Sequence, residues 1–448
     1  MGLDAWWRIV FSRVQEQWPT LKFGEVAAQS WSLHFEKARA ITLMIINFFF
    51  KSNQHIPLIH NFTANFVYHS MKIRRFIQEQ VENRLHPGKV VVLLGPRQIG
   101  KTTLLKDLLA KEPAPFLFVS GEDRATQNWL GSQSIETLRQ TIGRHQLLVI
   151  DEAQHVPNIG LNLKLIVDHL PHLRVMATGS SSFDLSNQTG EPLVGRKWEF
   201  ELYPISQLEL AVNEAPFQTE ELLPQRLLYG SYPEIITTTG FADKRELLNN
   251  LVNGYLYKDL LMFEEIRKSK KIVEILGMLA FQIGSLVSVH EISQALGMNT
   301  RTVDKYLDLL EKVFVIKRLG GYSRNLRKEI SKGAKYYFWD NGIRNAIINN
   351  FNELNLRNDV GALWENYLIA ERLKKQRYTK LFSNNYFWRT YDQKEIDFVE
   401  ERDGQLYGFE FKWMPSNPKP PALWHETYPN AHFEVIHPGN YLSFIAES

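Results

Sequence analysis

At 448 residues, with 44% hydrophobic and 23% charged side chains, the chain has an ordinary globular composition and a length that predicts about two to four domains. It has no cysteine, which excludes disulfides, thiolate nucleophiles and cysteine-based zinc sites. A net charge of +3 is too small to imply nucleic-acid binding by itself, so any cationic surface must be local.

Residues 1–70 read as an extension of open status. "MGLDAWWRIVFSRVQEQWP" carries Asp4 and no basic start before an apolar run, unlike a secretory signal. The apolar run "AITLMIINFFF" (40–50) has about eleven residues, where a membrane span needs about 20. No transmembrane helix is therefore expected, and the expected location is the cytoplasm. Aromatic residues from Trp6 to Tyr68 leave an interfacial anchor open. A third reading starts natural translation at Met71, where "MKIRRFIQEQ" opens a helix just before the first motif.

"KVVVLLGPRQIGKTTLLKDLLA" (89–110) is an apolar strand, a glycine-containing loop and an amphipathic helix, and it fits G-x-x-x-x-G-K-[ST] in full. Gly95 and Gly100 let the loop curl so that its N–H groups face phosphates, and the helix adds its positive N-terminal end. The expected ATP-binding residues are Gly95, Pro96, Arg97, Gln98, Ile99, Gly100, Lys101, Thr102 and Thr103. Lys101 would reach the β- and γ-phosphates, and the Thr102 hydroxyl would ligate Mg2+.

"HQLLVIDEAQHVPN" (145–158) supplies the partner strand. Asp151 emerges at its C-terminal end, where open α/β sheets place their ligands, and is assigned to the magnesium. Glu152 is assigned to the attacking water, provided the strand end turns so that both carboxylates face the cleft. After a third strand, "LRVMATGSSS" (173–182), Ser180 is the candidate γ-phosphate sensor, with Thr178 and Ser181 next; the alternative is a hydroxyl-rich turn. "EPLVGRKWEFELYPIS" (191–206) offers Arg196 as an arginine finger, in its own chain or a neighbour's, or else as an ordinary surface arginine.

"GPRQIGKTTLL", "LLVIDEAQ", "ATGSSS" and "LVGR…ELYPIS", in that order, resemble the prokaryotic ATPase family whose AAA-like core is joined to a C-terminal domain of unknown function 4143. "YGSYPEI" (229–235) and "YLYKDLL" (255–261) are similar to that family's next landmarks. The resemblance covers roughly residues 71–415. It implies ATP binding and hydrolysis, without a settled physiological role.

Residues 71–215 are thus expected to form the AAA-like core and 216–283 a helical lid or linker, with "LLNNLVNGYLYKDLL" (247–261) its clearest helix. Residues 284–324 predict a winged helix-turn-helix: "HEISQALG" closed by Gly297, a turn, a helix over "RTVDKYLDLLEKV" capped by Thr300, then the strand "FVIKRLGG". Arg301 and Lys305 share a helical face that could meet DNA, with Lys317, Arg318, Arg324, Arg327 and Lys328 tracking the backbone. Asp304 and Asp308 dilute that charge, and a plain packing module is the alternative.

Residues 325–448 predict a restriction-endonuclease-like α/β domain. "VGALWENYLIAERLKK" (360–375) is a helix carrying Glu365. "EIDFVEERDGQLYGFEFKW" (395–413) is a hairpin turning at Asp403-Gly404, with Asp397 on one strand and Glu410 and Lys412 on the other. This matches a PD-(D/E)xK-type nuclease site, to which the family resemblance adds weight: Glu365, Asp397 and Glu410 as metal ligands, Lys412 on the nucleophilic water. The alternative is a wet hairpin face whose Glu-x-Lys is a surface pair.

The whole reads as an α/β chain with a P-loop NTPase core (parallel sheet, AAA-like), a helical lid, a winged helix and the nuclease-like domain, using ATP and Mg2+. Three functions stay open: an ATPase coupling nucleotide state to a DNA-binding or nuclease-like module, an ATP-gated metal-dependent DNA nuclease, and a non-catalytic nucleotide-switched interaction module. No residue decides ring formation, so a homo-oligomer also stays open.

Overall fold

The computed structural model describes residues 73–180, 193–256, 269–323, 333–416 and 418–447. The expectations for residues 1–70, a start at Met71, Ser181, Arg324, Arg327 and Lys328 lie outside the described residues. Residues Met71–Ser448 form one compact unit.

Five strands form an all-parallel sheet in the order β2-β3-β4-β1-β5: β1 (Val90–Leu94), β2 (Phe116–Ser120), β3 (Leu147–Asp151), β4 (Arg174–Gly179) and β5 (Lys197–Glu201). "VVVLL" and "LLVID" are buried at every position, as central strands covered on both faces must be. Helix α1 (Lys101–Leu109) packs Leu104 and Leu105 with Val91 and Leu93 on one face. Helix α2 (Ile159–His169) packs Leu163 and Ile166 with Val90, Val92, Leu148 and Ile150 on the other. All five strands end at the same edge, so the loops after β1, β3 and β4 meet there.

Residues 216–256 are helical over Pro216–Tyr229, Pro233–Thr237 and Phe241–Asn250, followed by a π-helical stretch Leu251–Leu256. The helix expected over 247–261 therefore changes winding at Leu251, and its last residues lie outside the described ones.

The next module contains α3 (Ser269–Phe281), β6 (Leu286–Val287), α4 (Val289–Leu296), α5 (Thr300–Lys312), β7 (Ile316–Gly321) and β8 (Ala334–Phe338). Gly297 ends α4 at φ +60°, but Asn299, not Thr300, caps α5, its side chain accepting from Arg301 N at 2.8 Å. The module is larger than residues 284–324. Ile272, Ile275, Leu276 and Leu279 of α3, and Ala334, Tyr336 and Phe338 of β8, share one apolar cluster with Val303, Leu307 and Leu310 of α5. Two helices and one strand could not cover those faces alone.

The C-terminal domain adds α6 (Val360–Thr379), β9 (Asn384–Arg389), β10 (Glu395–Arg402), β11 (Gln405–Phe411) and β12 (His432–Ile436). β10 and β11 pair through Arg402 opposite Gln405, and Asp403 and Gly404 take φ of +51° and +74°, as a two-residue hairpin turn requires. β7 pairs with β9 in parallel, Gly320 opposite Tyr386, so one seven-stranded sheet, β12-β11-β10-β9-β7-β8-β6, runs through both modules. Backbone hydrogen bonds therefore join elements on either side of the boundary drawn at 324/325.

Candidate functional site

Gly95 opens the loop after β1 because nothing larger fits: a Cβ there would lie 2.3 Å from the Leu202 carbonyl oxygen. Gly100, at φ +93°, supplies the left-handed turn into α1. Gln98 and Ile99 complete the curl, Gln98 at φ +58° and Ile99 buried. Pro96, Arg97 and Thr103 flank these within the same loop and first helical turn. The Lys101 ammonium is buried and folds back onto its own loop, donating to the carbonyl oxygens of Gly95 (2.8 Å) and Pro96 (3.0 Å). This is the posture of a lysine already within the concavity where phosphates would lie.

Thr102 Oγ1 donates to Asp151 Oδ2 at 2.8 Å, and Thr178 Oγ1 donates to Asp151 Oδ1 at 2.5 Å. Thr178 is fully buried and also accepts from Glu152 N at 3.0 Å. It therefore positions Asp151 instead of projecting into the cleft. Glu152 takes φ +51°, which bends the chain directly after Asp151; its Oε1 lies 3.9 Å from Lys101 Nζ, and its Oε2 accepts from Gln154 Nε2 at 2.5 Å. Both carboxylates thereby flank the loop. Thr102 and Asp151 present two hard oxygens at one point, a donor set that fits Mg2+. Ser180 follows β4, whose Gly179 is paired with Leu94, and so stands beside the loop.

Arg196 sits elsewhere. It precedes β5 at the end paired with Val90, whose N–H donates to the Arg196 carbonyl, and its Nε donates to Asp168 Oδ1 at 2.7 Å. The length of β1, about 16 Å, separates it from the loop. An arginine finger acting on its own chain's nucleotide is ruled out for Arg196 by that placement.

A different arginine touches the loop. Arg75, buried, donates to Ile99 O (2.8 Å), to Tyr203 O (2.6 Å) and to Tyr378 Oη (3.3 Å), and its Nε pairs with Glu209 Oε1 at 2.8 Å. Glu209 also closes a capping box with Ser206. No spacing in the sequence links residues so far apart; the one local signal is the S-x-x-E spacing of Ser206 and Glu209.

At the far end of α6 the structure brings Glu365, Asp397, Glu410 and Lys412 together with three residues that the pattern did not indicate: Lys335, Tyr337 and Glu395. Glu365 Oε1 accepts from Tyr337 Oη (2.5 Å) and Lys335 Nζ (3.2 Å). The Lys335 ammonium also pairs with Glu395, which accepts from Arg389 at 2.9 Å. Asp397 Oδ2 accepts from Phe411 N at 2.8 Å, and Glu410 pairs with Lys412 at 2.7 Å. Burial first, then the Glu365 and Glu410 carboxylates, push the Asp397 carboxyl well above its ordinary range. Burial works against the Lys335 charge, yet Glu365, Glu395 and Asp397 together raise its pKa.

Among the described residues no group of three or more His, Cys, Asp or Glu side chains is arranged to hold a metal ion. Of the expected metal ligands, Glu365 Oε1 is engaged by Tyr337 and Lys335, Asp397 Oδ2 by a backbone N–H, and Glu410 Oε1 by Lys412.

The cations expected on DNA are partly engaged as well. Lys317 pairs with Glu311 at 2.5 Å, and Arg318 hydrogen-bonds Tyr336. Arg301 and Lys305 lie on the exposed face of α5. Among the described residues no helix is long and apolar enough to cross a membrane.

Residues 87–211 match the AAA domain family, 220–354 a family described as a domain of unknown function (DUF8612), and 360–436 the domain of unknown function DUF4143. An uncharacterized protein of Mycobacterium tuberculosis is 28% identical over 345 residues, 76% of this chain and 74% of that protein. One from Methanocaldococcus jannaschii is 25% identical over 347 residues, 73% and 76% of the two chains. Among solved structures, a RuvB variant from Thermotoga maritima aligns with 55% of this chain and 88% of its own, at 14% identity and a TM-score of 0.26.

Proposed function

We propose that this chain, an AAA-type P-loop ATPase domain joined to a C-terminal DUF4143 domain, hydrolyses Mg·ATP and passes its nucleotide state to the attached modules. The observation that supports this most is the contact between Thr102 Oγ1 and Asp151 Oδ2 at 2.8 Å, directly beside a lysine held over the loop carbonyls. When bound, Mg·ATP supplies the scissile anhydride and the charge of the metal. Thr102 and Asp151 would hold that metal, and the loop N–H groups with Lys101 would orient and neutralise the phosphates. Glu152, turned towards the same cleft, positions a water, and Ser180 stands where a hydroxyl can respond to the terminal phosphate. ATP turnover tests this. Lys101→Ala and Asp151→Asn are each expected to lower it at least about 100-fold, within the range that removing a charge-stabilising group produces. Unchanged turnover in both would overturn the reading.

DNA contact by α5 is a second, narrower reading, favoured by the exposure of Arg301 and Lys305 on one face. Lys317 and Arg318 are engaged internally, so DNA contact through α5 is expected to depend on salt chiefly through its own cations. Arg301→Ala should flatten that dependence. Binding unaffected by Arg301→Ala and Lys305→Ala would remove DNA from the account.

A further inference from the structure

We propose that Lys335 is the built-in cation of the C-terminal carboxylate cluster, standing where a hydrolytic site would hold its metal, so that this domain binds no catalytic divalent ion and cuts no phosphodiester. The strand β8 delivers it. Alternation along "AKYYF" sends Ala334, Tyr336 and Phe338 into the apolar cluster with α3 and α5 and turns Lys335 and Tyr337 to the opposite face. There both reach Glu365 on α6, and Lys335 also reaches Glu395 on β10. Lys335 is 1% exposed, and Gly284 packs so near Glu365 that a Cβ there would lie 3.1 Å from its Oε2.

Lys335 is paired across the sheet with both Leu319 and Leu286, so its backbone is fixed between β7 and β6. Its ammonium lies 5.7 Å from the centroid of the Phe387 ring. Magnesium needs near-octahedral oxygen coordination and tolerates no ammonium among its ligands. A divalent ion held by Glu365 would stand against the positive charge of Lys335, which already pairs with Glu365 and Glu395. The cluster instead fastens three pieces of chain, β8, α6 and β10, around one buried charge.

The test is a titration of the nucleotide-free full chain with Mn2+, following the free-ion EPR signal, alongside supercoiled plasmid incubated with Mg2+ or Mn2+. The expected results are no uptake tighter than millimolar and intact plasmid. One Mn2+ per chain lost in Asp397→Asn or Glu410→Gln would overturn the proposal. So would nicking that these variants lose and Lys101→Ala keeps. Lys335→Met should lower the thermal midpoint and recover part of it with Mn2+, whereas the wild-type midpoint ignores the ion. A Lys335→Met midpoint equal to wild type would also contradict the proposal. Because the wild-type arms need no variant, a misfolded one leaves the result decided.

Discussion

Single residues shape the loop after β1 through close contacts. Gly95→Ala drives a methyl into the Leu202 carbonyl, which is backbone and cannot swing away. The expected outcome is loss of nucleotide affinity with about 1–3 kcal/mol of stability, measured by a fluorescent ATP analogue and by urea unfolding. An alanine variant that binds normally would show that the loop does not need this approach. Lys244 and Lys375 offer a pH test. Burial, and after it the Arg226 and Arg372 guanidiniums respectively, push both ammoniums down to about 8. Below that pH folded and unfolded chains are both protonated, and the buried charges cost most. Between about 8 and the ordinary 10.5 the unfolded chain holds the extra protons, so stability should rise with pH, by up to about 1.4 kcal/mol per unit for each lysine. Urea midpoints of Lys244→Met should be higher than wild type at neutral pH and show a smaller rise. A wild-type midpoint that falls across that window would contradict the burial of these charges. The P-loop, Asp151 and the Asp403-Gly404 turn were legible because each rests on local spacing. Lys335 and Arg75 were not, since their partners come from distant segments and neither lies in a motif.

Among the elements, α6 has a special position. Tyr378 near its C-terminus touches Arg75, which holds the loop carbonyl of Ile99; Glu365, about 20 Å away along the same helix, belongs to the Lys335 cluster. Between them Glu371 accepts from Gln207 N at 2.6 Å, tying the helix to the segment after β5. The helix thus reaches the loop after β1 through Arg75 at one end and the seven-stranded sheet at the other. Arg75→Ala would strand the Glu209 carboxylate, which is fully buried, at a cost of about 3–5 kcal/mol, and should weaken ATP binding as well. Denaturant unfolding and nucleotide titration read the two effects; a loss below about 1 kcal/mol would mean that the pair does not hold the loop. The landmark "YGSYPEI" has a structural explanation at this scale. Gly230 lies so close to Asp340 that a Cβ would meet its carboxylate, and Ser231 N donates to Asp340 Oδ2 at 2.6 Å. The helices of these elements were visible from periodicity. Their grouping was not, because the parallel pairing of β7 with β9 spans more than sixty residues and leaves no periodic trace.

For the whole molecule, the parallel sheet and the mixed sheet are bridged by α6 and by the shared apolar cluster that runs from Val91 and Leu104 to Trp364 and Phe409. The phosphate-binding-type loop's sheet and the C-terminal sheet are therefore parts of one packed body. Arg196, remote from its own loop and half-exposed beside Asp168, can serve a nucleotide only on a neighbouring copy. If it does so, specific activity rises with protein concentration, and an inactive Arg196→Ala chain regains turnover when mixed with Lys101→Ala. Activity independent of concentration, with Arg196→Ala unimpaired, would remove it from the catalytic set.

The most direct measurement is calorimetric titration of the full chain with ATP in the presence of Mg2+ and again in EDTA. The account predicts one site per chain, weakened when Mg2+ is withdrawn and abolished in Lys101→Ala. Heat of binding that survives Lys101→Ala undiminished, or none at all from folded wild-type protein, would contradict it.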